Sequence, residues 1–162
     1  MEKEIWKDIP QYEGHYQVSS LGRVRSIPRG NRKGRVLKQF ENAKYKKLSL
    51  SKDGVERSFN VHVLVAMAFL GHVPGGYALV VDHIDNDRLN NNLNNLQLVT
   101  ARENTSKDRR GGSSKYVGVS WHKNHKKWIS NISVDGKQKH LGYFKNEIDA
   151  HNAYQNYLKN NL

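Results

Sequence analysis

The sequence predicts an α+β chain assembled from small units rather than around one large core, and three observations carry that expectation. Of 162 residues only 36% are apolar, and a mean hydropathy of -0.82 is thin for a single core. Residues Val80 to Asn104, VVDHIDNDRLNNNLNNLQLVTAREN, join two short apolar runs through an Asn-rich loop and end on a helix start. The last third, from Tyr116, changes to three short β-like runs followed by an apolar helical stripe. The expected architecture is therefore a small antiparallel sheet region, a strand-loop-strand-helix core, and a C-terminal three-stranded sheet packed on one helix.

In chain order, Ile5 to Ile27 is a set of β-like pieces punctuated by Pro10, Gly14 and Gly22. His15 to Val18 and Arg23 to Ile27 alternate about a turn at Ser19 to Gly22. Trp6 and Tyr16 read best as the core of that small sheet. Pro28 to Gly34 is a loop presenting Arg29, Arg32 and Lys33, suited to phosphate contact and equally to plain solvation. Lys44 to Leu50 and Val55 to Phe59 flank Ser51-Lys52-Asp53-Gly54, whose Asp-Gly pair is a strong hairpin signal. Leu48 and Leu50 share one face of the first strand, and Tyr45, Lys47 and Ser49 share the other. Val61, Leu64, Val65, Ala68 and Phe69 recur at helical spacing up to Gly71, which predicts a helix that buttresses the core motif. His62, at its start, reads as a structural or capping residue. Pro74-Gly75-Gly76 then turns the chain into a strand expected at Ala78 to Val81.

After Asn104 a short helix gives way to Lys107 to Lys115, KDRRGGSSK, a basic flexible linker with a boundary near Gly111. Beyond it, Tyr116 to Trp121, Trp128 to Val134 and Gln138 to Phe144 predict three strands, the last two joined at Asp135-Gly136. Asn146 can cap a closing helix, with Asp149 at its third position and Ala150, Tyr154, Tyr157 and Leu158 as its apolar stripe. For Trp121 and Trp128, filling the small core is as good a reading as facing a partner.

Charge narrows the class of partner. Lys and Arg total 27 against 15 Asp and Glu, a net charge of +12, and the basic residues are spread along most of the length. Such a field favours a polyanion. With no apolar run long enough to span a bilayer, nucleic acid is the expected partner and a membrane is not. No cysteine is present, which excludes disulfides and thiolate zinc sites. Met1 to Trp6 is charged and lacks the apolar stretch of an export signal, so the cytoplasm is expected. No heptad run marks a coiled coil, and a monomer is expected.

The chemistry concentrates in the central stretch. Asp82 and His83 end the first apolar run, and Thr100-Ala-Arg-Glu103 reads as a capping box that sets Asn104 in the first helical turn. Such an arrangement can hold Asp82 and Asn104 on one hard cation, with His83 beside it to take a proton from water. Oxygen donors favour Mg²⁺ or Mn²⁺, and two protein ligands leave room for water and phosphate oxygens. Arg88 and Arg102 are secondary candidates for phosphate contact. The asparagines from Asn90 to Asn95 also suit a purely structural loop, because Asn tolerates left-handed backbone and caps its own turns.

Val81-Asp82-His83, Asn90 to Leu96 and Thr100 to Asn104 together resemble the ββα-metal motif of HNH nucleases, in the phage homing-endonuclease branch where the last His is replaced by Asn. The resemblance implies that His83 is the general base, that Asp82 and Asn104 bind a divalent metal, and that Asn95 braces the loop orienting His83. Trp6, Asp8, Ile9, Tyr12, Tyr16, Val18, Ser19, Gly22, Val24 and Ser26 resemble the small N-terminal module that accompanies these nucleases and contributes to a DNA-facing sheet. Tyr116, Gly118, Val119, Lys127, Trp128, Ile132, Leu141, Gly142, Phe144, Ala150, Ala153 and Tyr154 resemble the Apetala-type DNA-binding domain, whose sheet lies in the major groove. By position it implies a DNA-facing set of Ser120, His122, Lys127, Trp128, Asn131 and Lys139. Plant members carry Arg where this chain has Val117 and Ser120, so their base preference does not transfer.

The implied organisation is a β-rich DNA-contacting region at 1–60, an HNH core at 61–110 and a tethered reader domain at 114–162. The implied activity is metal-dependent, site-specific hydrolysis of a phosphodiester in double-stranded DNA, in the host cytoplasm if the chain is phage-encoded. One Asp-His and Asn set gives a monomer one centre, which points to nicking of one strand. A catalytically silent DNA-binding regulator is the competing class and an RNA nuclease the third; the intact Asp82, His83 and Asn104 set argues against the regulator.

Overall fold

In the N-terminal region of the computed structural model, which describes residues 3–42, 44–75, 79–106 and 113–161, short alternating runs pair into two antiparallel sheets. β1 (Trp6–Asp8), β2 (Tyr16–Ser19) and β3 (Val24–Ser26) form the first, in that order. β4 (Phe40–Asn42), β5 (Tyr45–Lys52) and β6 (Val55–Asn60) form the second. Asp53 and Gly54 take φ of 53° and 78°, the left-handed pair that a two-residue Asp-Gly turn demands. β1 and β4 lack sequence signals because three residues are too few to show a period of two.

α1 (Val61–Leu70) differs from the one-faced helix that its spacing predicts. Val61, His62, Leu64, Val65, Ala66 and Met67 are all buried, so the helix is enclosed on several sides. Its apolar side chains meet Ile9, Tyr12, Val18, Val24, Leu48, Leu50 and Leu96, one core shared by the first two sheets and the strands that follow. Tyr16 packs at the margin of this core. Trp6 is half-buried against the guanidinium of Arg25, 4.2 Å from the ring centre, rather than filling the core as its sequence context suggests.

β7 (Val80–His83), a 3₁₀ turn (Leu93–Asn95), β8 (Leu96–Val99) and α2 (Ala101–Ser106) make the central unit. The strand expected to end at Val81 runs on through Asp82 and His83, which pair with Gln97 and Leu96. Ala78, where that strand was to begin, lies outside the described residues, as do residues 107–112 of the expected linker and its boundary at Gly111.

β9 (Val119–His122), β10 (Lys127–Val134) and β11 (Lys137–Phe144) form the last sheet, in the order β11-β10-β9, and α3 (Glu147–Asn161) packs on it. A second core joins this unit to the rest: Ala66 of α1 and Leu98 of β8 pack with Ile132, Tyr154 and Leu158. The architecture is α+β, with the central unit held between two flanking groups of strands. Among the described residues no helix is long and apolar enough to cross a membrane.

Candidate active site

Backbone pairing of β7 and β8 sets Asp82 and His83 side by side, and the loop between the strands fixes the histidine ring. His83 Nε2 lies 3.2 Å from Asn91 Oδ1. An amide oxygen only accepts, so this bond puts the proton of the neutral ring on Nε2 and its lone pair on Nδ1. Asn95 ties the loop together. Its Nδ2 donates to Asp85 Oδ1 at 2.8 Å and to the Asn90 carbonyl at 2.9 Å, while its Oδ1 accepts from the Asp85 amide at 3.1 Å. Its backbone carbonyl accepts from the Ile84 amide, next to His83, at 2.8 Å. Burial pulls the Asp85 carboxyl upward, but bonds from Asn90, Asn95 and the Asp87 amide outweigh it and hold the group below its ordinary value.

Asp82 and Asn104 approach one cleft from different elements. Asp82 is buried in β7, and Gln97 opposite it donates Nε2–H to Asp82 Oδ2 at 2.7 Å. The capping box forms as the sequence indicates: the Glu103 amide donates to Thr100 Oγ1 at 3.3 Å, and Glu103 Oε2 accepts from the Thr100 amide at 3.2 Å. Asn104 then sits in the first turn of α2, its amide bonded to the Thr100 carbonyl at 3.0 Å. A cleft of about 370 Å³ is lined by Tyr45, Val81, Asp82, His83, Asn86, Arg88 and Asn104. The arrangement thus gathers a carboxylate, an amide oxygen, an imidazole and a guanidinium. Of these, the Asp82 carboxylate and the Asn104 amide oxygen fit a hard divalent cation, which takes oxygen ligands. Among the described residues no three His, Cys, Asp or Glu side chains cluster as a metal site, so a thiolate or imidazole cage has no basis there.

Several contributors escaped the sequence reading. His62 does not cap α1; it is buried, with its ring 5.1 Å from that of His83 and 4.9 Å from that of Tyr45, so it packs against two residues that line the cleft. Burial, with smaller contributions from His83 and His72, pushes its imidazole down to about 4. Tyr45 sits on the β5 face that also carries Lys47, and Arg88 stacks over its ring at 5.6 Å. Asn91 and Gln97, the direct partners of His83 and Asp82, stood in the sequence among other asparagines and apolar neighbours with nothing local to single them out.

The expected contact residues divide by place. Arg29, Arg32 and Lys33 line a larger cleft of about 640 Å³ together with Arg35, away from His83. The Arg102 side chain lies outside the described residues. In the C-terminal sheet, register puts Ser120, His122, Lys127 and Asn131 on the outer face. Trp128 takes the opposite face with the buried Ser130 and Ile132, and Lys139 reaches over Tyr157 of α3 at 4.8 Å. The six therefore do not form one surface.

Two antiparallel strands and a capped helix gathered on an Asp-His pair are the frame of a ββα nuclease. Residues 4–51 match the NUMOD4 motif and residues 59–106 match the HNH endonuclease family. The DNA endonuclease I-HmuI of Bacillus phage SP01 is 41% identical over 138 residues, covering 83% of this chain and 75% of that protein. Protein 3.8 of Escherichia phage T7 is 37% identical over 79 residues, 48% of this chain and 64% of its own. A solved structure reported as DNA binding and cleavage by the HNH homing endonuclease I-HmuI aligns with a TM-score of 0.55 at 37% identity, over 86% of this chain and 77% of that one. The chain belongs to the HNH homing endonuclease family and is an endonuclease; dependence on a divalent metal is typical of that family.

Proposed function

We propose that the protein is a site-specific homing endonuclease that hydrolyses one phosphodiester bond in double-stranded DNA and nicks a single strand. The observation that carries this is the cleft in which Asp82, His83, Arg88 and Asn104 meet. His83 accepts a proton from water as the water oxygen attacks phosphorus, and the bond from phosphorus to the 3′ oxygen breaks, the departing 3′ oxide taking a proton from solvent to become the 3′ hydroxyl. The Asn91 bond keeps Nε2 as the protonated side of the ring and directs Nδ1 to this task. Asp82 and Asn104 would hold one Mg²⁺ or Mn²⁺ ion, which supplies charge neutralisation at the phosphate oxygens. Arg88 adds a fixed positive charge beside the developing negative one.

Binding is shared along the chain in this reading. Arg29, Arg32, Lys33 and Lys47 contact the backbone from the N-terminal region, and Ser120, His122 and Lys127 read from the outer face of a C-terminal sheet of the Apetala type. The protein acts as a monomer, because one chain supplies one centre and a non-palindromic site has no use for a two-fold partner. The test follows supercoiled plasmid carrying the target site with Mg²⁺ or Mn²⁺ over time. Relaxed circle that persists supports the nicking monomer. Direct conversion to linear plasmid with second-order dependence on protein refutes it.

A further inference from the structure

α3 of the C-terminal unit holds the nuclease unit by two adjacent residues that the catalytic reading does not use. The Leu98 amide of β8 donates to Gln155 Oε1 at 3.1 Å, and Gln155 Nε2 donates to the Leu98 carbonyl at 2.8 Å. This is the double bond pattern a third strand would supply, made by one side chain, and it closes the edge of β8 turned away from β7. One residue earlier, the Tyr154 hydroxyl donates to Glu103 Oε2. That same oxygen accepts from the Thr100 amide at 3.2 Å and the Thr100 hydroxyl at 2.6 Å, so α3 is bonded into the cap of α2.

The Tyr154 contact is tightly enclosed. Tyr154 is fully buried, and its ring lies so close to Gly118, at φ +73°, that any Cβ there would overlap it. Ala66 and Leu98 share one buried apolar cluster with that ring, together with Ile132 and Leu158. By contrast α2 is short over its described residues, Ala101–Ser106, and a helix turn of that length depends on its cap and outside contacts. Asn104 rides on that helix.

We propose that Tyr154 and Gln155 are positioning residues of the nuclease centre: through Glu103 and Leu98 the C-terminal unit sets α2 and β8, and so places Asn104 opposite Asp82. The inference rests on Asn104 and Asp82 being the metal ligands. It makes the last third of the chain part of the catalytic frame as well as a contact surface.

Tyr154→Phe removes the hydroxyl and keeps the ring. Binding of Mn²⁺ to the DNA-free full chain, read from the loss of its free-ion resonance, should weaken by about 10-fold, the low end of what outer partners of metal ligands cost. Single-turnover cleavage should fall in step and recover at excess Mn²⁺, with DNA affinity unchanged. In a Glu103→Ala background the same change should have no further effect. If Tyr154→Phe does not fold, Gln155→Met decides the matter by the same Mn²⁺ titration, with weakened binding expected. Wild-type Mn²⁺ affinity in the folded variant, alongside lost affinity in Asn104→Ala, overturns the inference and leaves the site reading standing. Undiminished affinity in Asn104→Ala overturns the site reading itself, and the inference with it.

Discussion

Gly22 offers a test of how His83 is held, because the N-terminal turn presses on the Asn-rich loop there. Its φ is +79°, and a Cβ would lie 2.9 Å from Asn91 Cβ and 3.0 Å from the Asn91 carbonyl oxygen. Carbon atoms normally sit at least about 3.5 Å apart, so Gly22→Ala must push Asn91 back by roughly 0.6 Å. The bond from Asn91 to His83 is already 3.2 Å long, and such a shift takes it past hydrogen-bonding range. Left-handed backbone costs a non-glycine residue about 1–2 kcal/mol, or roughly 2–8 °C of Tm in a chain of this size. Gly14→Ala is the matched control: φ is +71° and nothing lies within 4 Å of its Cβ position. Gly14→Ala should lose Tm on that backbone scale alone, and Gly22→Ala should lose more, because it also displaces Asn91. Only Gly22→Ala should lose single-turnover cleavage, by about 10- to 100-fold, the scale of a sub-ångström to 1 Å misplacement of a reacting group. Equal cleavage by the two variants would refute the claim that the Asn91 bond orients the base.

His83→Ala should lower cleavage by about 10²- to 10⁴-fold while gel-shift affinity stays close to wild type, because the base acts on water and not on the DNA backbone. Arg29→Ala and Arg32→Ala should each flatten the dependence of log affinity on log salt by roughly 0.9 if each contacts one phosphate; an unchanged slope assigns them to solvent. Burial pushes His62 and His151 each down to about 4. Between the ordinary imidazole range and that value the unfolded chain binds more protons than the folded one, so stability falls as pH falls through this window and changes little above it. Urea midpoints measured from pH 7 to pH 4 should show the decline, and His62→Phe should shallow it.

The hairpin at Asp53-Gly54, the capping box at Thr100 and the strands of the last sheet were legible because each depends on residues close in sequence. Asp82, His83 and Asn104 were legible for the same reason, since one strand, one loop and one helix cap bring them to a single cleft. His62 was not: its contact with His83 depends on how α1 packs across β5 and β7, which no local spacing encodes. Gln155 is similarly hidden, because its bonds reach a backbone 57 residues away. Trp128 and Lys139 fall on the face opposite Ser120 and Lys127 because side chains on a strand alternate, and only the register decides which set faces the helix.

α1 contributes Leu64 and Val65 to one core and Ala66 to the other. A helix placed like this cannot keep its shape once either neighbour leaves, since departure strips apolar surface from a segment with little else to satisfy it. The three small units should therefore melt in one calorimetric transition, and the amide protons of α1 should be among the last to exchange with solvent. A chain whose sequence reads as beads on a string would then behave, under heat or denaturant, as a single cooperative body.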